Sequence, residues 1–179
     1  ASVGDSKQQA PHSPKPLMEW QLELVKNTAS PSCKYDGVFG IWYGKGPGLD
    51  RALDAIRHAN MGGVAKYGGM VLAVGDDATG KSSTLAYQSE QTFIAAGVPF
   101  FYPRSIHDII PMGLQAFALS RLAGCCVGMK IVVDTADASS IIDLDRIRPE
   151  ITAKEELGPV HIGRHDPALV REERLFNLR

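Results

Sequence analysis

Two stretches of this chain carry residue types that could do chemistry. The first is Gly75-Asp76-Asp77-Ala78-Thr79-Gly80-Lys81-Ser82, which satisfies the spacing G-x-x-x-x-G-K-[ST]. In a phosphate-binding loop of that spacing, backbone amides cradle phosphate oxygens, the lysine neutralises their charge and the hydroxyl holds Mg²⁺. Ile131-Val132-Val133-Asp134 would then supply a magnesium-binding carboxylate at a strand end, giving an ATP- or GTP-binding module. Against this stand the missing base-reading signature N-K-x-D, the missing D-x-x-G, and two strand-like segments at or before the loop where one is expected. The second stretch is residues 34–48, KYDGVFGIWYGKGPG, in which a buried-strand pattern runs into a glycine-rich loop. Gly44, Gly46 and Gly48 leave amides bare beside Lys45, so backbone can approach a ligand or partner; the plain alternative is a tight connection between a strand and a helix.

The elements that must position these stretches follow from hydrophobic periodicity. Residues 38–42 read as a strand, 48–61 as a helix with Leu49, Leu53 and Ile56 on one stripe, and 68–75 as a continuous apolar strand covered on both faces. A helix over 83–97 stopped by Gly97, a strand over 98–103, a helix over 105–124 opened by Ser105 and disturbed at Pro111, and a strand over 128–135 complete the alternation. Strands alternating with helices predict an α/β fold: a mainly parallel sheet with flanking helices. Residues 1–33 form an atypical N-terminal segment, polar and flexible over 1–16 with a short helix over 18–27. The α/β domain covers 34–140, and 141–179, punctuated by Pro149, Pro159 and Pro167, reads as a connector toward a further domain.

Composition narrows the function classes. A chain of 179 residues that is 44% hydrophobic has enough apolar content for one core. Its net charge of -1 gives no general basic field for nucleic acid or an anionic membrane, and no apolar run reaches the roughly 20 residues of a bilayer span. Neither partner is expected. Cys33, Cys125 and Cys126 are an odd count without C-x-x-C spacing, which predicts a reducing, cytoplasmic setting, with Cys125 and Cys126 as small core residues.

KYDGVFGIWYGKGPG, the following LDRALDAIRHAN and the later GGMVLAVGDDATGKSSTLAYQSEQTFIAAGVP together resemble the thiamine-diphosphate-dependent indolepyruvate ferredoxin oxidoreductases, within the 2-oxoacid:ferredoxin oxidoreductases. The likeness runs from about Lys34 to the C-terminus. In relatives the second stretch resembles G-D-D-H-x-x-K-S-S-T-L-P-H-Q-S, which accounts for Lys81 and Ser82 without a nucleotide. The resemblance implies a thiamine-diphosphate-binding fold and oxidative decarboxylation of an aryl 2-oxoacid such as indolepyruvate. Coupling to CoA and electron transfer through iron–sulfur clusters to ferredoxin are implied with it. Gly75-Asp76-Asp77 also resembles the G-D-G opening of a thiamine-diphosphate metal site, but the expected downstream asparagine is replaced by Pro103-Arg104-Ser105-Ile106. The chain therefore resembles the pyrimidine-side domain, with Mg²⁺ held by another domain and the clusters, which need four thiolates each, in other parts of a larger protein. A homo-oligomer or multidomain assembly follows, and this chain alone is expected to be inactive.

Carried onto this sequence, the resemblance implies cofactor contacts from Lys45, Gly46, Gly48, Asp76, Asp77, Lys81, Ser82, Ser83, Thr84 and Gln88. Substrate contacts would come from Arg51, His58 and Asn60. Each has a plain alternative: Asp76 and Asp77 cap the turn after a strand, Arg51 is a solvated helix charge, His58 stabilises a helix end, and Trp42 is core. Ala78 and Ala86-Tyr87 stand where relatives carry His and Pro-His. The pyrimidine-activating glutamate has no counterpart in the first 33 residues, where Glu19 and Glu23 are the nearby carboxylates.

Overall fold

The computed structural model describes residues 39–65, 67–82 and 84–147. The N-terminal segment, where a helix is expected over 18–27, Cys33, Lys66, Ser83 and the expected connector from residue 148 onward lie outside the described residues.

Strand β1 (Phe39–Lys45) feeds directly into helix α1 (Gly46–Gly62), followed by β2 (Gly69–Asp76), α2 (Glu90–Ala95), β3 (Phe100–Phe101), α3 (Ile106–Ala123), β4 (Cys126–Val132) and the single turn α4 (Val133–Ala136). The four strands form one parallel sheet in the order β1-β2-β4-β3. The α/β architecture expected from the alternation is the one observed. Because the chain crosses from β2 over β4 to β3 and then returns, right-handed crossovers put α1 and α2 on one face and α3 on the other.

Each face has its own core. Leu49 and Ile56 of α1 and Phe93 of α2 pack with Trp42, Met70, Leu72, Val74 and Cys126, and on the opposite face Ala116 and Phe117 of α3 pack with Val71, Val127 and Met129. Cys125 and Cys126 are buried, and Trp42 is core.

Several boundaries differ from the sequence expectation, among them the strand expected over 98–103, which is only Phe100–Phe101. The glycine-rich loop after β1 does not exist: the strand continues through Gly44 and Lys45, and Gly46-Pro47-Gly48 is the first turn of α1. Proline's fixed φ suits that first turn, where its missing N–H costs nothing. The helix expected over 83–97 is confined to Glu90–Ala95, for reasons given with the site. The last strand starts two residues early, at Cys126, and gives way to a helical turn at Val133. Helix α3 is continuous through Pro111 and ends at Gly124, which takes a left-handed φ of 71° and returns its amide to the Ser120 carbonyl.

Packing is tight where β4 passes under α2. A Cβ on Gly128 would sit 2.7 Å from the Phe93 ring and 2.9 Å from the Phe100 Cβ, between two rings already stacked with centroids 5.3 Å apart. Gly128→Ala should therefore cost about 1–3 kcal/mol through overpacking. Urea unfolding would show a lowered midpoint; an unchanged midpoint would contradict this packing.

Candidate functional site

In open α/β sheets, ligands bind outside the carboxyl ends of the strands. Here that edge is formed by Lys45 ending β1, Asp76 ending β2, and the turn after β4 that carries Asp134. Lys45 Nζ donates to the Ser82 carbonyl at 2.6 Å and to its Oγ at 3.2 Å, so the two glycine-bearing stretches meet. Tyr87 closes the junction from above α1. Its ring lies so close to Gly46 that a Cβ there would be 2.2 Å from it, and its hydroxyl donates to Asp50 Oδ1 at 2.8 Å. Burial, helped by the Asp50 carboxylate, pushes the Tyr87 phenol up to about 12.

Asp77 organises the segment after β2. One carboxylate oxygen accepts from the Lys81 amide at 2.8 Å, and the other from the Ser82 amide at 2.7 Å and the Ser82 hydroxyl at 3.1 Å. Its own carbonyl accepts from the Tyr87 amide at 2.9 Å. The Ser82 amide, with the Lys81 amide, the Ser82 hydroxyl and the Lys45 charge, outweighs desolvation and holds the Asp77 carboxyl below its usual range. No helix starts at Ser82. Tyr87 is instead held in an antiparallel bridge to Asp77, a pairing that a helix running through Tyr87 could not make, so α2 begins only at Glu90.

The same geometry departs from a phosphate-binding loop. The two amides at Lys81 and Ser82 already serve a carboxylate, and no helix N-terminus follows them. The ammonium of Lys81 forms an ion pair with Asp134, the residue that would hold magnesium, and that contact raises the Lys81 pKa.

Beneath this layer lies a buried ionic cluster. Asp76 Oδ2 accepts from the Ser89 amide and hydroxyl, both at 3.0 Å, and faces Lys130 Nζ at 3.2 Å. Lys130 also pairs with Glu90 at the start of α2, and its ammonium lies 4.6 Å from the Tyr102 ring centroid. The Lys130 and Asp76 side chains are 4% and 0% exposed, so the pair is fully desolvated. Desolvation opposes charge on Lys130 and on Glu90, but their mutual hydrogen bond prevails, raising the Lys130 pKa and lowering that of Glu90. Asp76 Oδ1 and Glu90 Oε2 are buried without a hydrogen-bond partner among the described residues.

Of the residues singled out in the sequence, Lys45, Gly46, Asp76, Asp77, Lys81 and Ser82 come together at this edge. Gly48 is in the first turn of α1, while Arg51, Thr84 and Gln88 are exposed. His58 and Asn60 are not brought to it: both are near the far end of α1, at the opposite edge of the sheet. Asn60 donates to the Ala96 and Gly97 carbonyls and accepts from the Cys126 amide, which makes it a clamp between α1, α2 and β4. His58 is exposed, with Nδ1 2.8 Å from the Asp54 carbonyl. Sequence reasoning missed Tyr87, Glu90 and Lys130 as members of the edge. Lys130 left a signal, being a lone cation inside an apolar strand that must find a buried carboxylate.

Among the described residues, no group of three or more His, Cys, Asp or Glu is arranged to hold a metal ion, and no helix is long and apolar enough to cross a membrane. No protein-family model matches the sequence, and no curated protein matches it either.

Two outcomes follow from the electrostatics. Lys130→Met removes the cation shared by Asp76 and Glu90 and should cost about 3–5 kcal/mol, as expected when one partner of a buried pair is lost; chemical denaturation measures it. For Asp77, a folded pKa below its ordinary value means that its stabilisation is complete above that ordinary value and is lost as pH falls through the folded value. Asp77→Asn should therefore be less stable than wild type at neutral pH and show a shallower loss below about pH 4 in acid titrations followed by circular dichroism.

Proposed function

We propose that this chain is the pyrimidine-side domain of a thiamine-diphosphate-dependent 2-oxoacid:ferredoxin oxidoreductase acting on an aryl 2-oxoacid such as indolepyruvate, with CoA and ferredoxin as further partners. The observation that carries the reading is the junction of Lys45 with Ser82. It makes one surface of the two stretches whose resemblance to that family motivated the assignment.

The residues fit one end of the cofactor. Asp76 Oδ1 and Glu90 Oε2 are buried acceptors without donors among the described residues, matched in chemistry to the amino group of an aminopyrimidine ring. The diphosphate end has no comparable host among the described residues, since the amides at Lys81 and Ser82 serve Asp77. The diphosphate and its Mg²⁺ are accordingly assigned to another domain. When bound, thiamine diphosphate would supply the carbanion that attacks the 2-oxoacid. This chain's part is to orient the ring through buried acceptors and to exclude water with Tyr87. The nucleotide-binding alternative at Gly75–Ser82 is disfavoured by the Asp77-bound amides and the pairing of Lys81 with Asp134.

Calorimetric titration of the full-length protein with thiamine diphosphate and Mg²⁺ should show binding that Asp76→Asn weakens at least tenfold, alongside indolepyruvate-dependent ferredoxin reduction. Absence of both heat and turnover would refute the assignment. Micromolar binding of an ATP analogue that is lost in Lys81→Ala would replace it with the nucleotide-binding reading.

A further inference from the structure

Strand β1 lies at one edge of the sheet, and its two faces are treated differently. Trp42 is buried on the α1 side, whereas Phe39, Ile41 and Tyr43, alternate residues of the other face, are 56%, 58% and 69% exposed. On that side α3 covers β2 and β4 instead, with Ala116 packed among Val71, Val127 and Met129. The sheet and α3 therefore make a step beside β1, about the width of one helix. Phe117 forms its corner, where its ring meets Phe39 edge-on at 5.1 Å.

The wall of the step is a stripe of α3. At helical spacing Ile110, Leu114 and Phe117 fall together, and Ile110 and Leu114 are both exposed. His107 and Arg121 bound the stripe at its two ends, and Asp108 and Gln115 fall on the flank of the helix away from Phe117. Floor and wall match in length: Phe39 to Tyr43 spans about 13 Å of strand, and Phe117 back to Ile110 about 10 Å of helix. Because α3 runs antiparallel to the strands, Leu114 stands level with Ile41 and Ile110 with Tyr43.

This shape fits its own copy. A two-fold axis along β1, passing between it and α3, lays the α3 stripe of a second copy on β1 and the β1 face of that copy on α3. Each protomer then fills the other's step with the helix that borders its own. The axis keeps residues at their heights, so Ile41 meets Leu114 of the second copy and Tyr43 meets Ile110. Between His107 and Arg121 the stripe carries no charge that would select an oppositely charged partner. The area is also sufficient. With about 150–250 Å² for a whole aromatic side chain, the five exposed residues leave roughly 500 Å² of apolar surface per protomer. A pair buries about 1,000 Å², the lower bound for a specific interface, which predicts a dissociation constant on the order of micromolar.

We propose that this step is the interface of a two-fold homodimer in which α3 of each copy packs against β1 of the other. The proposal is independent of the cofactor reading, since it concerns the face away from α1 and α2 and needs no ligand.

Sedimentation velocity of the full chain over a concentration series should show a reversible equilibrium between monomer and dimer. Ile41→Asp and Leu114→Asp, each at an exposed position, should raise the dissociation constant by about tenfold or more by burying a charge, while the circular dichroism spectrum stays unchanged. Oxidation of an Ile41→Cys and Leu114→Cys mixture, one variant isotopically labelled, should give a mixed disulfide-linked dimer in excess of either self-linked product and absent from wild type. A wild-type protein that stays monomeric at every concentration would overturn the proposal. A dimer indifferent to both aspartate substitutions would overturn it by placing the interface elsewhere, and assembly beyond the dimer would overturn it in favour of open edge-to-edge pairing.

Discussion

Two adjacent carboxylates at the end of β2 have to be satisfied away from water, and the rest of the edge is arranged around that requirement. Asp76 and Asp77 are 2% and 1% exposed, so each must gather donors or carry a heavy desolvation penalty. Asp77 gathers the amides of Lys81 and Ser82; Asp76 gathers Ser89 and Lys130. Between them they fix both ends of residues 77–89 and delay α2 until Glu90, whose carboxylate then joins the same lysine. The path of the loop follows from the solvation of two side chains more than from its own helix propensity.

This has consequences for what the edge can bind. Lys45 and Lys81, two exposed cations at the loop, are engaged with Ser82 and Asp134, and Tyr87 lies against Gly46. An anionic ligand would have to displace protein partners to reach them. A donor-bearing group meets the opposite situation, because two buried carboxylate oxygens at the top of the α2 core have acceptor capacity left. The asymmetry suits the ring end of an aminopyrimidine coenzyme better than its diphosphate, which is why the proposed function divides the cofactor between this domain and another.

Much of the architecture was legible because it rests on local pattern. The continuous apolar run of β2 and the stripe of Leu49 and Ile56 fix a parallel strand and a covering helix, and both are observed. The errors fell where side chains compete with backbone. A loop was expected at Gly46-Pro47-Gly48 from glycine content, although proline at the second position of a helix is as natural as in a turn. The sequence predicts a helix from Ser83 onward because Ser and Thr are good caps, but the antiparallel bridge between Asp77 and Tyr87 keeps that stretch out of a helix. Of the site, Lys45, Asp76 and Lys81 could be named from motif spacing, whereas the contacts of Tyr87 with Asp50 and of Glu90 with Lys130 each cross about 40 residues of sequence. Asn60 shows the converse: a polar residue at a helix end that suggested substrate binding spends its amide on three backbone groups at the far edge.

The claim that carries most weight is that buried aspartates, not a ligand or a helix, hold residues 77–89 in place. Native-state amide hydrogen exchange tests it directly. The account predicts strong protection at the amides of Lys81, Ser82, Tyr87 and Ser89, each bonded to Asp76 or Asp77, beside rapid exchange at Thr84 and Leu85, with the protection of Lys81 and Ser82 lost in Asp77→Ala. Unprotected exchange at all four amides in the wild-type protein would contradict it.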